Sequence, residues 1–307
     1  MDRLGAMAIL IAAVDGGSLT AAGRRLNVPL PTVSRNIAEL EKHVGARLLA
    51  RSTRSLSLTD AGSAYVAACR RILDEVGEAE RAASGERIAP RGSLAIAAPI
   101  VFGRLHVLPL LSEFLAIYPD IDVRLFLSDR NADLLEDGID VALRIGPLRD
   151  SSAIVTRVGS VRRVVCGSPS LFAACGIPQI PRDLASWPCV TFDALGSANA
   201  WTFGGGRRGG AMSVKVRSRL SVNTAEAARD AAVAGVGVTR LLSYQVRDAI
   251  RTDALAVVLE RHEPPPLPVH LLHQPDGAAP LKVRSFLDFA APRLRSGLDV
   301  GFGRRAA

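Results

Sequence analysis

Two hydrophobic rhythms divide the chain. Up to about residue 84, apolar positions recur every three or four residues, the period of helices that pack by one face. From about residue 93 they gather into short runs alternating with helical stretches. Over 4–14, Leu4, Met7, Leu10, Ile11 and Val14 share a helical face. "DGGS" (15–18) breaks that helix, and Ser18 is a good N-cap for the next, because its hydroxyl accepts from a backbone N–H without a helical partner. There Ala22, Gly23 and Leu26 form a narrow face that another helix can approach closely. Asn27 follows, a residue that tolerates the left-handed conformation of a tight turn. Pro29 and Pro31 open the following helix, where a missing N–H costs nothing, and Val33, Ile37, Leu40 and Val44 point inward. Thr32, Ser34, Arg35 and Asn36 are left facing out. A small residue, a leucine three positions on, a turn and a second helix make a helix-turn-helix pattern, whose second helix reads DNA.

"ARLLARSTRSLSLT" (46–59) alternates and carries Arg47, Arg51 and Arg54, which predicts a two-stranded wing with a basic tip. Thr59 caps a long helix over 60–84. Its stripe of Ala61, Tyr65, Ala68, Ile72, Val76, Ala79 and Ala83 is narrow and nearly heptad-like, which suits a partner helix and predicts a dimer. "GERIAPRG" (85–92) reads as a hinge. Beyond it, strands are predicted at 93–99, 122–128, 141–146, 162–168, 220–223 and 268–274, with helices near 103–118, 130–136, 169–174, 182–185, 224–234, 242–252 and 282–295. Such alternation predicts α/β layers with largely parallel sheets. "WTFGGGRRGGAMSVKV" (201–216) reads as a hairpin and 260–268 as a stiff crossing, and the tail 297–307 is expected to be disordered.

Composition changes this picture little. With 48% hydrophobic residues in 307, the chain can build sizeable cores in about two domains. Its longest apolar run, Ala6–Val14, is about half of the roughly 18 residues a membrane helix needs. The run also lacks a signal peptide's basic leader and cleavage site. A cytoplasmic location without a membrane partner is therefore expected. The net charge of +8 and pI near 10.0 suit a polyanionic partner. Lys42, Lys215 and Lys282 are the only lysines, however, so the charge is mostly arginine in an alanine-rich chain, a composition that reflects a GC-rich genome more often than function. Cys69, Cys166, Cys175 and Cys189 show no C-x-x-C pair and no histidine placed to complete a zinc site, so no metal or cofactor is expected. Buried free thiols in apolar surroundings are the plain reading, and a redox pair between Cys166 and Cys175 the sharper one.

The run "GGSLTAAGRRLNVPLPTVSRNIAELEKHVGARLLARSTRSLSLTDAG" (16–62) resembles the winged helix-turn-helix of the LysR-type transcriptional regulators almost position for position. "AAPIVFGRLHVLPLL" (97–111), "LSDRNADLLEDGIDVALRIGPLRDSS" (127–152) and "AAVAGVGVTRL" (231–241) resemble that family's effector domain. The resemblance implies an α-helical winged helix-turn-helix domain (1–60), a linker and dimerisation helix with hinge (61–88), and a two-lobed α/β domain like a periplasmic binding protein (89–296). Lobe I would comprise about 89–161 and 268–296, and lobe II about 162–267. The implied partners are double-stranded DNA carrying an interrupted inverted repeat, a small-molecule effector held between the lobes, RNA polymerase, and further copies of the chain as homodimer or homotetramer. Three departures stand out. Pro29 and Leu30 replace the usual Ser and Gln, removing a cap worth about 0.5–2 kcal/mol and exchanging an amide suited to adenine for an apolar group suited to a thymine methyl. Gly23 stands where Ala is usual, which would loosen its helix by roughly 1 kcal/mol. Leu49 replaces a Phe before the wing.

The candidate base readers are Leu30, Pro31, Thr32 and Arg35, near the end of the helix that enters the major groove. Ser34, Arg51 and Arg54 are placed for phosphates or the minor groove. In the effector domain, strand-to-helix junctions present N–H groups that favour anions. "APIVFG" (98–103) supplies Ile100, Val101 and Phe102, and "VNTAE" (222–226) supplies Asn223 and Thr224. Ser128, Asp129, Arg144 and Phe192 would line the gap, which predicts a small organic anion as effector. The bland alternatives are an N-cap at Asn223 completed by Glu226, and lobe packing for Ser128 and Arg144. Catalysis is not expected. The five histidines form no metalloprotease motif, and neither a G-x-S-x-G elbow nor a P-loop occurs. "GVGV" (235–238) also lacks the third glycine of a dinucleotide fingerprint. A plain architectural DNA binder would not need the second half of the chain.

Overall fold

The computed structural model describes residues 2–51, 56–84, 89–129, 134, 138–148, 153–192, 199–204, 211–275 and 279–301. The first unit holds α1 (Arg3–Asp15), α2 (Leu19–Leu26) and α3 (Leu30–Val44), followed by the antiparallel pair β1 (Leu49–Arg51) and β2 (Leu56–Leu58). Ser18 caps α2, its hydroxyl accepting from the Ala21 N–H at 3.1 Å. Asn27 closes α2 in the left-handed region at φ 54°. Gly23 does more than loosen its helix: a Cβ there would stand 2.7 Å from the Val28 carbonyl oxygen, so an alanine would require this tight turn to open slightly. Pro29 offers no side-chain cap to α3, and the Thr32 and Val33 N–H groups instead donate to its carbonyl. Glu41 fastens α3 to the wing by accepting from the N–H groups of Leu48 and Leu49, at 2.8 and 3.1 Å.

The core of this unit differs from the expected faces. On α1 the buried positions are Ala6, Ile9, Leu10, Ala12 and Ala13, while Leu4 is exposed. Alanines allow α2 and α4 to approach closely, which larger side chains would not. Leu26 and Val44, expected inward, are exposed at the ends of their helices, whereas Val33, Ile37, Leu40 and the family-departing Leu49 are buried.

The long helix α4 (Asp60–Ser84) starts where Thr59 donates to the Arg47 carbonyl at 2.7 Å and accepts from the Gly62 N–H at 2.9 Å. Its face of Gly62, Val66 and Cys69 is buried, and Arg70 pairs with Asp15 of α1. The expected seam lies beside that face: Tyr65 still packs against the core of its own domain, and Ile72 is 39% exposed. The segment 85–88 of the expected hinge lies outside the described residues.

Two five-stranded sheets follow. One runs in the order β4 (Ile121–Leu127), β3 (Gly92–Ala98), β5 (Val141–Ile145), β14 (Leu267–His273) and β6 (Ile154–Val161). The other runs β11 (Arg217–Val222), β8 (Pro188–Phe192), β12 (Val238–Leu242), β7 (Arg163–Gly167) and β13 (Ala256–Val258). Both are mixed rather than largely parallel. β3 is parallel to β4 and β5, but β14 is antiparallel to β5 and β6. β8 is parallel to β11 and β12, but β7 is antiparallel to β12 and β13. The strands that break the rule are those by which the chain crosses from one sheet to the other: β7 is the first after the outward crossing and β14 the first after the return. A strand fed by a crossing is not bound by the right-handed strand-helix-strand connection that keeps its neighbours parallel.

Arg162 and Glu263 mark the two crossings, and their side chains meet in a bidentate pair at 2.6 and 2.7 Å. Such forked pairs are among the stronger charged contacts. The hairpin of β9 (Ala200–Phe203) and β10 (Met212–Lys215) forms as expected and buries Trp201 and Phe203; its tip, 205–210, lies outside the described residues.

The helices on the sheets are α5 (Ile100–Ile117), α6 (Pro169–Cys175), α7 (Ala225–Val233), α8 (Ser243–Arg251) and α9 (Leu281–Gly301). α5 begins earlier than expected and is wound as a π-helix over Gly103–Val107. It is the one described helix long and apolar enough to cross a membrane, yet Val101, Phe102, Val107, Leu111 and Phe114 are buried against the sheet. The helix predicted near 130–136 falls almost wholly outside the described residues. α9 corrects the first part of the expected disordered tail, because helix continues through 297–301; 302–307 lies outside the described residues. Leu294 and Leu298 prolong its apolar face at four-residue spacing, and Leu298 packs where Gly159 leaves room on β6. The thiols of Cys166 and Cys189 are buried and pushed up to about 12 by that burial. Cys175, expected in apolar surroundings, is exposed near the end of α6.

Candidate functional site

The first site is the outer face of α3. Burying Val33, Ile37 and Leu40 leaves Leu30, Pro31, Ser34 and Arg35 exposed along the opposite face, with Leu30 45% exposed although apolar. Thr32 is half-buried, and Asn36 is turned back on its own helix, its amide donating to the Thr32 carbonyl at 2.9 Å. The free N-terminal turn of α3 is thus apolar at its tip and cationic one turn on. Of the basic wing, Arg51 lies on β1 but its side chain is outside the described residues, as is Arg54.

The second site is a cavity of about 140 Å³ between the two sheets. Ser128, Asp129, Arg144 and Phe192, all anticipated, line it. Val101 and Phe102, expected there too, are buried in the core of the first lobe instead. The reason is helical geometry: they face the sheet beneath α5 while the cavity lies beyond its first residue. Asn223 is exposed and does not cap α7, and Glu226 completes no box there. Thr224 is the cap, accepting from the Ala227 N–H at 3.3 Å. Neither Asn223 nor Thr224 is among the cavity's lining residues, nor is Ile100, although the neighbouring Pro99 is.

Both helix ends expected to hold a ligand's anion therefore have partners within the chain. Asp129 accepts from the Ile100 N–H at 3.2 Å, placing the protein's own carboxylate at the start of α5. Its other carboxylate oxygen is buried without a hydrogen-bond partner. Burial raises the Asp129 pKa above the ordinary carboxylate value, the Ile100 N–H opposes that, and Glu226 adds to it.

Cations enter the cavity elsewhere. Arg144 comes from β5, and Arg163 from the first residue of β7. Burial lowers the Arg163 pKa, since a desolvated guanidinium loses hydration it does not recover from neighbours. The walls between are apolar: Phe126, Leu143, Ile145, Phe192, Leu242 and Leu267.

Beside the cavity, α5 meets α8 through three rings. Phe102 stands edge-on to Tyr244 at 5.2 Å, and His106 lies 4.6 Å from Phe102 and 5.9 Å from Tyr244. Burial, with the charge of Arg247 beside it, pushes His106 down to about 4, so the ring is neutral at neutral pH. Burial likewise raises the Tyr244 hydroxyl well above its ordinary value. A long ion pair, Arg104 to Glu226 at 3.9 Å, joins the same two lobes at the surface.

Tyr244, Gln245, Leu242, Arg163 and Leu267 were not anticipated. The signal for the first three lies in "LLSYQ" (241–245), a third strand-to-helix junction: Gln245 caps α8 by accepting from the Leu242 N–H at 2.8 Å. No local signal marks Arg163 or Leu267. They line the cavity because the two crossings pass its edge.

The two parts of the chain that carry these surfaces are each similar to known proteins. A sequence model described as "Bacterial regulatory helix-turn-helix protein, lysR family" matches residues 4–63. One described as "LysR substrate binding domain" matches 87–295. An HTH-type transcriptional repressor of Pseudomonas aeruginosa is 34% identical over 291 residues, covering 94% of this chain and 91% of the relative. The HTH-type transcriptional activator AaeR of Escherichia coli is 31% identical over 284 residues, covering 92% and 91%. Among solved structures, CrgA, a LysR-type transcriptional regulator from Neisseria meningitidis, is similar at 30% identity and TM-score 0.60, covering 94% of this chain and 98% of that one. The full-length Vibrio cholerae virulence activator AphB is similar at 26% identity and TM-score 0.59, with the same coverage. With both halves matched, and relatives above 30% identity aligned along nearly their whole length, the chain belongs to the LysR family of DNA-binding bacterial transcriptional regulators, a family of regulators rather than enzymes.

Proposed function

We propose that the protein binds an interrupted inverted repeat in double-stranded DNA as a homodimer or homotetramer joined through α4, and that a small organic anion between its lobes controls this binding. Its place of action is the cytoplasm, where the DNA is, and its output is the access or activity of RNA polymerase at the bound promoter. The observation that carries the DNA reading is the division of α3, with Val33, Ile37 and Leu40 buried and Leu30, Pro31, Ser34 and Arg35 exposed at the end that enters a groove. Thr32 adds a methyl and a hydroxyl at the border of that face, and Arg51 and Arg54 of the wing supply backbone contacts.

The test is Arg35→Ala on the full-length protein, with the DNA upstream of the neighbouring divergent gene as operator. If Arg35 reads a guanine, binding weakens by about 1–3 kcal/mol and preference relaxes at one base pair. An equal loss on operator and random DNA would make Arg35 a phosphate contact. A salt titration on both DNAs also separates a regulator from an architectural binder, which shows little sequence preference. The anion reading is supported by Arg144 and Arg163 entering the same cavity from different lobes. A thermal-shift screen of small carboxylates tests it. Arg144→Ala should abolish the shift, and stabilisation by neutral ligands alone would refute it.

A further inference from the structure

The cavity is not uniformly cationic. Its floor is formed by strand ends in the order β4, β3, β5 and β14, and the register places the polar groups along it. Ala98 of β3 pairs with Leu127 of β4, so Ser128 and Asp129 lie level with Pro99 at one side. Ala97 pairs with Ala142 of β5, so Arg144 lies level with Pro99 on the other side. Adjacent strands are about 4.8 Å apart, which separates the β4 and β5 positions by roughly 10 Å. Arg163 lies farther still from Asp129, two residues beyond Val161, which pairs with Leu267 of β14. The described lining thus runs from a carboxylate at the β4 edge, past largely apolar walls that also carry Tyr244 and Gln245, to Arg144 on the central strand and Arg163 at the outward crossing. Asp129 keeps one oxygen buried and unbonded, and Arg163 makes no ion pair among the described residues.

We propose that the effector is a monoanion with a hydrogen-bond donor at its opposite end, held by Arg144 and Arg163 at the acid group and by Asp129 and Ser128 at the donor. The proposal rests on the anion reading above and narrows it: a dicarboxylate is refused. Its second carboxylate would meet Asp129, and two desolvated like charges in contact disfavour one another strongly. A plain monocarboxylate binds, but leaves the buried Asp129 oxygen unsatisfied. A hydroxyl or ammonium group satisfies it. Selection of this kind is strong because the wrong ligand strands a buried polar group of the protein. The same carboxylate explains why the α5 N-terminus is not the anion site, since Asp129 already takes the Ile100 N–H.

The experiment uses the full-length protein and calorimetry with four ligand series of three to six carbons: the plain acids, their ω-hydroxy acids, their ω-amino acids and the dicarboxylates. In the wild type, a donor-bearing acid of the fitting length should bind at least about tenfold more tightly than the plain acid, and the matching dicarboxylate still more weakly. In Asp129→Asn, which retains an oxygen for the Ile100 N–H, the dicarboxylate should gain and the tenfold preference shrink. Arg163→Met should weaken every acid together. Dicarboxylates binding as tightly as hydroxy acids, or an unchanged ranking in Asp129→Asn, would overturn this proposal and leave the anion reading standing. Failure of all four series to bind wild type would overturn both. The wild-type ranking requires no variant, so it decides the matter even if Asp129→Asn does not fold.

Discussion

Gly62 shows how much one absent methyl group can determine. A Cβ on it would stand 1.9 Å from the Leu48 carbonyl oxygen, and that atom belongs to the chain entering the wing, held by the Thr59 N–H at 3.0 Å. Backbone locked on both sides cannot yield as a flexible side chain can. Gly62→Ala should therefore force α4 away from the wing, with an overpacking cost of about 1–3 kcal/mol or more. Urea unfolding followed by far-UV circular dichroism would measure it, and a variant as stable as wild type would mean that α4 does not rest on Leu48. Residues also set the limit of what could be read without coordinates. Ser18, Asn27 and Thr59 announce their caps and turn by type alone, because each acts on backbone within a few positions. Asp129 does not: its partner Ile100 opens α5, two residues past the end of β3, and only the pairing of β3 with β4 brings them together.

Among the elements, α4 carries the clearest division of labour. Gly62, Val66 and Cys69 serve its own domain, and Tyr65 packs against the same core, while Ala68, Ile72 and Val76 beside them remain only partly covered. An apolar face wider than its own domain covers leaves a margin that a second copy of α4 fits. Ile72→Asp combined with Val76→Asp should give monomers in sedimentation velocity with unchanged helix content, and an intact oligomer would show that assembly runs through another surface. The helical half was legible because its period is long and its breaks are chemically marked. Strands were harder. β6 leaves Ile154 and Val155 exposed at a sheet edge and slips register at Val158, so its pattern is neither alternating nor continuously apolar. β8 and β12 are five residues each, buried on both faces, and read as core of either type. The cavity was legible only where a junction happened to lie beside it; strand order decides which ends converge, and no local pattern encodes that order.

At the scale of the whole molecule, polar contacts among the described residues tie the linker to the first lobe. Lys282 of α9 is buried, pairs with Asp74 of α4 and donates to the Ser93 carbonyl at 2.7 Å. Arg71 of α4 donates to Gln274 at 3.1 Å. Between the lobes, the rings of Phe102, His106 and Tyr244 bury a histidine in its neutral form. A base held below its ordinary pKa takes up a proton when it is released by unfolding, so the stability it contributes is full above pH 6.5 and is lost as pH falls toward about 4. Asp129 and Asp140, whose pKa values burial raises, act in the opposite direction just above 3.8 and do so in any His106 variant. Urea denaturation of wild type and His106→Phe at several pH values isolates the histidine. Wild type should lose stability relative to the variant between pH 6.5 and 4, and a pH-independent difference would show that His106 is not held neutral.

The pairing of Arg162 with Glu263 has a consequence for how such a molecule changes over generations. Because the outgoing and returning crossings touch, residues 163–262 form a closed excursion whose two ends sit side by side. Segments of that kind tolerate insertion and replacement well, since the host need only bridge one short gap. The first lobe keeps its sheet through β14 and its cover through α9, both encoded after the return. The second lobe is therefore an exchangeable cassette: swapping it between relatives, with the arginine and glutamate retained as its clasp, would import half of a new ligand preference while the operator address written in α3 stays as it was.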